Sequence, residues 1–321
     1  AAPFFAAAYA KGIRSYDAEK AYEGLRKNAL PGGIRDHAGY EHATNARGGG
    51  MKYYVERGYV PEQIEGNGMH KDGAAMTLEY AYQDWCLAQL AAALGKDSDA
   101  RWLLGRSGNY TNLWNPAVKF MVPRLKDGAW LPGFEPAGPN SAKGFCEANS
   151  AIYTHFVPQD VPGLIRLFGG PENYVAALNR QFELAVTNHF VGPHGKHELL
   201  WVGYDNQPST AMAHLFNFAG APWLSQKWVR EVKQRAFGDT TPFGGYNGDE
   251  DQGQMGALGV LMAIGLFDVQ GGAACQPTYQ ITAPLFDRVT IHLNPSYFPG
   301  GKFTIVTRNN SPENIYIQSA K

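Results

Sequence analysis

The sequence holds no run of lysine and arginine of the kind nucleic-acid binders carry, and its formal net charge is −1. No bulk field therefore draws it to nucleic acid or to an anionic membrane surface. It has only three cysteines, Cys86, Cys146 and Cys275, too far apart to form a zinc site and enough for one disulfide at most. None has a reactive context, so all three read as core thiols. No apolar run reaches the length of a membrane-spanning helix. The opening residues, AAPFFAAAYAKGIRSY, lack the charged start and apolar middle of an intact signal peptide and read as a mature or cleaved end. Also missing are G-x-S-x-G, H-E-x-x-H, a P-loop and an EF-hand, which removes the commonest signatures of acyl transfer, zinc proteolysis and nucleotide binding.

What is present is hydrophobic and aromatic. The 321 residues are 44% hydrophobic, with 17 Tyr, 17 Phe and 7 Trp. That suffices for a sizeable core. The aromatics suit sugar stacking, although residue by residue core packing is the better account.

The periodicity is helical for most of the chain. Two short helices fit residues 6–30, with Asp17 as a cap, and MKYYVERG ends a third at Gly58. The clearest helix runs from Gly73 to Lys96, with Leu78, Tyr82, Trp85 and Leu90 at helical spacing. A second helix, capped by Asp97 or Ser98, completes a hairpin with it. Residues 114–146 read as a long Gly- and Pro-rich loop, a feature usually tied to function or disorder. Helices resume at 147–156, 159–168, 172–189, 209–219, 224–237 and 251–266. After Gly271 the pattern changes to alternating β-branched segments, YQITAPLF, RVTIHLN, KFTIVTR and IYIQSA, which read as strands. The expected architecture is mainly α: an (α/α)6 toroid with a short C-terminal β segment. Residues 1–276 form the helical-hairpin barrel portion, and residues 277–321 form a β tail. Eight to ten helices fall short of the roughly twelve that six hairpins need, so the toroid is expected to be incomplete on its N-terminal side.

Four segments carry candidate chemistry. In GFCEANSAIYTHFVPQD, Glu147 stands beside Phe145 and an apolar run; desolvation there would keep it protonated, as a general acid requires. Taken alone, a helix-start carboxylate is the better account. In GYDNQPST, Asp205, Asn206 and Gln207 offer hard oxygens suited to calcium, and an ordinary capped turn explains them equally well. In GGYNGDEDQGQM, Asp249, Glu250 and Asp251 precede a helix, and three acids exceed what a cap needs. In TLEYAYQDW, Glu79 and Asp84 read as paired core acids that orient loops. His155, His189, His194, His197 and His214 show no metal-ligand spacing. Carboxylates on separate loops, many aromatics and no nucleophile motif point to glycoside hydrolysis, with one neutral acid at the leaving oxygen and one carboxylate across the sugar.

TLEYAYQDW, RSGNYTNLWN, the 147–160 segment, GLIRLFGG, NQPS, HLFNFAGAPW, GDEDQGQM and NNSPENIYIQS resemble glycoside hydrolase family 92, in the same order, from about residue 8 to the C-terminus. The resemblance implies a calcium-dependent, inverting exo-α-mannosidase whose (α/α)6 barrel meets an N-terminal β-sandwich at the active site. It implies Glu147 as acid, Asp251 as base with Asp249 as partner, and calcium near Asn206, Gln207 and Asp251. The β tail would then pack on a β-sandwich absent from this chain, separate or upstream. The expected substrate is an α-linked oligosaccharide or glycan, with no nucleic acid and no membrane span, in a secreted or periplasmic setting. Tyr153, Trp85, Trp223 and Tyr204 are candidate sugar contacts, although for the first three core packing is the better account. Departures stand out: EANSAIY replaces E-G-N-A-W-Q-Y, and YDNQPSTA replaces H-G-N-E-P-S-H-H. Gln207 thus takes the place of an acid, and Tyr204 and Thr210 those of histidines. Two alternatives follow: a catalytically impaired glycan-binding or structural relative, or a member with non-mannose specificity.

Overall fold

The computed structural model describes residues 1–33, 35, 50–62, 72–193, 196–241, 245, 248, 250 and 253–321. Among them the chain forms ten α-helices: α1 Ala2–Ala10, α2 Ala18–Asn28, α3 Met51–Arg57, α4 Gly73–Ala93, α5 Asp97–Ser107, α6 Ser150–Tyr153, α7 Val161–Leu167, α8 Pro171–Ala185, α9 Pro222–Ala236 and α10 Gln254–Ile264. A 3-10 segment spans Met212–Ala219, where an α-helix was expected, and packs against α9.

Local chemistry sets these boundaries. Asp17 caps α2 by accepting from the Lys20 N–H at 2.9 Å, and Gly58 closes α3 at φ +75°. Neither Asp97 nor Ser98 caps α5. That helix starts at Asp97 itself, with Lys96 at the cap position, so Asp97 and Asp99 instead place negative charge in its first turn.

Helix α4 is the central element. It is apolar nearly all round, and 15 of its 21 residues are buried, which marks an inner helix covered on every side. Its start needs a glycine: a Cβ on Gly73 would lie 2.6 Å from the Val60 carbonyl oxygen. Its C-terminal half packs with α1, α2 and α5 around Leu87, Leu90 and Leu103. Its N-terminal half joins the larger core built from α6 to α10, including Leu78, Leu164, Phe182 and Trp228. Each fully buried Leu or Phe contributes about 1.5–3 kcal/mol.

Asp84 is wholly buried within α4 and meets Arg106 at 2.9 Å, Arg35 at 3.3 Å and the Tyr54 hydroxyl at 3.1 Å. Burial raises its carboxyl, and the two guanidiniums oppose that shift only in part. This is the core-acid role expected of it. The thiols divide differently from expectation: Cys86 is buried, Cys146 half-buried and Cys275 exposed, and no disulfide joins them.

The long 114–146 segment is ordered. Strands β1 (Trp114–Asn115) and β2 (Phe120–Met121) form a small hairpin. Helix α6 is fastened to β2: Ser150 Oγ donates to the Met121 carbonyl at 2.6 Å, and the Met121 N–H donates to Thr154 Oγ1 at 2.9 Å.

In the tail, β3 (Leu266–Phe267) pairs with β4 (Gln280–Ile281), and β5 (Arg288–His292) pairs antiparallel with β6 (Lys302–Val306). The IYIQSA segment is not a strand. Its Ile317 N–H donates to the Gln226 side chain at 2.6 Å, so it runs along α9 rather than along a sheet edge. The β5–β6 hairpin leaves Phe303 and Val306 half exposed.

Candidate active site

Three chain segments converge at the start of α6. Glu147 lies just before the helix, in the left-handed region at φ +51°. This backbone turn sends neighbouring Phe145, Ala148 and Asn149 inward and leaves Glu147 exposed. The expectation of a carboxyl desolvated by its apolar neighbours is thereby corrected, because the left-handed turn separates the acid from them. Nor does Glu147 cap the helix. Asn149 does so, accepting from the Ile152 N–H at 3.0 Å, while its Nδ2 donates to the Glu198 and Leu200 carbonyls, each at 2.7 Å. Asn149 thus ties the acid's segment to the strand of chain that leads to the NQPS turn.

Asn206 is the link between the first two segments. Its Nδ2 donates to Glu147 Oε2 at 3.0 Å and to the Glu147 carbonyl at 3.1 Å. Its Oδ1 accepts from the Gln207 N–H at 3.0 Å, capping the short 3-10 turn Gln207–Ser209. The side chain is 2% exposed. Asp205, equally buried, accepts from the Gly192 N–H at 3.0 Å and secures the turn from below.

The third segment is the acidic turn. Gly248, at φ +82°, lies so close to the backbone of Asp205 that a Cβ there would collide with the Asp205 carbonyl. Two residues on, Glu250 accepts from the Gly253 N–H at 2.8 Å and from the Gly256 N–H at 2.9 Å. Glu250 therefore caps the start of α10, where its charge also favours the helix dipole. Asp249 and Asp251 lie outside the described residues, as do His194 and the side chain of His197.

The donors at the NQPS turn suit a hard cation. Gln207 Nε2 is buried without a hydrogen-bond partner, and turning that amide over presents an oxygen at the same place. Asn206 Oδ1 keeps one lone pair. Among the described residues no group of three His, Cys, Asp or Glu gathers to hold a metal, so a full ligand set needs oxygens from the 249–251 turn or from backbone carbonyls.

The candidate sugar contacts sit elsewhere or face inward. Tyr153 is 6% exposed and donates to the Cys146 carbonyl at 3.1 Å, bracing the acid's loop. Trp85 stacks on Tyr82 in the α4 core, at 6.3 Å between ring centroids. Tyr204 is fully buried, its hydroxyl accepting from the Ala213 N–H at 3.0 Å. Trp223 is exposed on the first turn of α9, against the core role expected for it. His155 is bound by Tyr174 at 3.1 Å and Gln181 at 2.5 Å, and burial lowers it to about 4. Burial likewise lowers His214, stacked on Phe267, to about 3. Both are neutral packing residues.

One acid escaped the sequence reading. Glu62, 6% exposed, accepts from the Gly73 N–H at 3.0 Å, and its Oε2 is 3.3 Å from where a Cβ on Gly144 would stand. Burial raises its carboxyl to about 8. An acid directly after Pro61, just before a loop, carries no pattern that announces burial. Glu79 is also raised by burial.

The family model described as the glycosyl hydrolase family 92 catalytic domain matches residues 1–321. Among solved structures, the family GH92 α-mannosidase BT3965 from Bacteroides thetaiotaomicron matches with a TM-score of 0.79 at 30% identity, over 98% of this chain and 37% of that one. The inverting mannosidase BT2199 from the same species matches at 0.78 and 30%, over 97% of this chain and 40% of that one. An uncharacterized secreted glycosidase of Arthroderma benhamiae is 30% identical over 98% of this chain and 40% of its own length. The chain thus spans about two fifths of the length of the relatives it matches.

Proposed function

From the premise that the chain belongs to glycosyl hydrolase family 92, and so is built as a mainly α (α/α)6 toroid, we propose that it supplies the catalytic toroid of an inverting, calcium-assisted glycosidase. The proposed reaction releases single sugars from the non-reducing end of α-linked, mannose-type glycans. The observation that carries this reading is the Asn206 amide bonded to Glu147, with the Gly248 turn pressed against the neighbouring Asp205 backbone. An exposed carboxyl, a donor-rich turn and the glycine that opens the acidic turn are linked through Asn206 and the Asp205 backbone, which supports glycoside hydrolysis at this place.

In this reading Glu147 gives its proton to the departing glycosidic oxygen. Asp251, with Asp249 beside it, takes a proton from the water that attacks the opposite face. Inversion needs about 6.5–9.5 Å between such groups, leaving room for that water. Asn206, Gln207 and Asp251 would hold the cation. When bound, calcium supplies a divalent charge for two adjacent sugar hydroxyls and favours a distorted ring. A β-sandwich segment outside these 321 residues would cover the exposed Glu147 and the half-exposed β5–β6 face, giving the acid the drier setting a proton donor needs. Export is part of the proposal, supported by the secreted glycosidase among its relatives; no helix among the described residues is long and apolar enough to cross a membrane.

Gln207 in the place of an acid, with Thr210 and the buried Tyr204 in those of histidines, favours a second reading in which the sugar is α-linked but not mannose. A panel of α-glycosides separates the two.

The test is Glu147→Gln. A general acid is worth about 10²–10⁴-fold when the leaving group is poor and little when it is good. Turnover of an α-mannobiose should fall by at least that lower factor, while a dinitrophenyl α-mannoside should be nearly unaffected. Equal losses on both substrates would remove the acid role.

A further inference from the structure

We propose that Asn206 is the positioning residue of the acid: one amide sets both the backbone and the carboxyl of Glu147, and so decides where that carboxyl points. The proposal rests on Glu147 being the general acid.

The amide has no freedom to face the other way. Oδ1 meets the Gln207 N–H at 3.0 Å, and Nδ2 meets two acceptors, Glu147 Oε2 at 3.0 Å and the Glu147 carbonyl at 3.1 Å. Reversed, the amide would set its nitrogen against an N–H and its oxygen against two oxygens. The hydrogen-bond pattern therefore fixes its orientation. With 2% exposure, water cannot substitute for these bonds.

Glu147 needs such a brace. Its φ of +51° is a conformation that residues with a Cβ rarely adopt, and such conformations persist where surrounding contacts enforce them. The bond to its carbonyl holds the backbone, and the bond to Oε2 holds the rotamer. Oε2 is thereby taken up as the acceptor of Nδ2. Oε1 has no hydrogen-bond partner among the described residues and lies on an exposed side chain. It is the oxygen free to meet a glycosidic oxygen. Glu147 and the NQPS turn are 59 residues apart, and this amide makes the acid's aim depend on that turn.

Two substrates and a double mutant test this in the enzyme. At saturating calcium, Asn206→Ala should lower the ratio of kcat/KM for α-mannobiose to that for the dinitrophenyl α-mannoside by about ten- to a hundredfold, the scale of a misplaced catalytic group, whereas loss of a cation ligand lowers both values and leaves the ratio unmoved. In a Glu147→Gln background the same change should move that ratio by less than about threefold, because the group it positions is already disabled. Asn206→Asp, which keeps the shape and replaces the donor by a carboxylate facing a carboxylate, should reproduce the selective loss if the alanine variant folds poorly. Equal loss on both substrates, or a ratio that falls again in the double mutant, overturns the positioning role. If Glu147→Gln itself shows no substrate discrimination, the general-acid reading falls first and takes this proposal with it. If Glu147→Gln discriminates and neither Asn206 variant does, only the role of Asn206 falls.

Discussion

Gly248 and Asp205 touch backbone to backbone, which leaves no room for a side chain between the acidic turn and the NQPS turn. Gly248 is also at φ +82°, where an L side chain is strained by about 1–2 kcal/mol. Gly248→Ala must therefore push the two turns apart. The expected outcome is a loss of at least tenfold in kcat/KM with a small change in Tm, since Gly248 itself is exposed. Activity within about twofold of the parent would show that the spacing of the two turns is not critical.

Glu62 gives the fold a pH dependence of definite sign. Burial raises its carboxyl from the ordinary 4.5 to about 8. The folded state holds the proton more tightly than the unfolded state does. Its contribution is complete below pH 4.5 and is lost as pH rises towards about 8. Glu62→Gln keeps an acceptor for the Gly73 N–H without a charge to bury. Melting curves should show the variant close to the parent at pH 5 and more stable than the parent at pH 8.5, by a margin of several degrees. Parallel curves across that range would mean Glu62 is ionised in the folded protein.

Asp84 is predicted to be a stability residue with no catalytic part. Replacing it by Asn leaves Arg106 and Arg35 buried without a compensating charge, a change that typically costs about 3–5 kcal/mol. Urea unfolding should show a lower midpoint for Asp84→Asn. At temperatures where the variant remains folded, kcat should match the parent. A normal midpoint with lost turnover would move Asp84 into the site.

The legible part of this protein was its helical repeat. The spacing of Leu78, Tyr82, Trp85 and Leu90 foretold α4, and Asp17 and Gly58 marked helix ends, because caps and apolar periodicity are local. Glu147 was legible as a candidate, but its surroundings were not. The sequence shows Phe145 beside it, and only the left-handed turn reveals that the two point apart. The same limit applies to Tyr204, a candidate sugar contact in the sequence that is in fact buried, its hydroxyl accepting from the Ala213 N–H. In the tail, IYIQSA alternates as a strand would, yet no neighbouring strand offers it an edge, so it takes Gln226 as its partner. The link between Glu147 and Asn206 had no sequence signal. It spans 59 residues and uses a side chain that motif reading had set aside for a metal.

Gln207 offers the sharpest test of the cation. Its amide nitrogen is buried with no partner, and the buried Asp205 stands two residues before it. Gln207→Glu places a second carboxylate in this turn. Without a cation that change adds like-charge repulsion and the cost of burying a charge, so Tm should fall. With calcium the added charge becomes a ligand, and the affinity should rise by about tenfold or more. Ligand binding to the folded state alone stabilises it by RT ln(1 + [L]/Kd). The calcium-induced rise in Tm should therefore be larger in Gln207→Glu than in the parent, and should vanish in both with a chelator. Activity should track the same titration, half-recovering at lower calcium in the variant. If calcium raises the Tm of the variant no more than that of the parent, the NQPS turn does not bind the cation through residue 207.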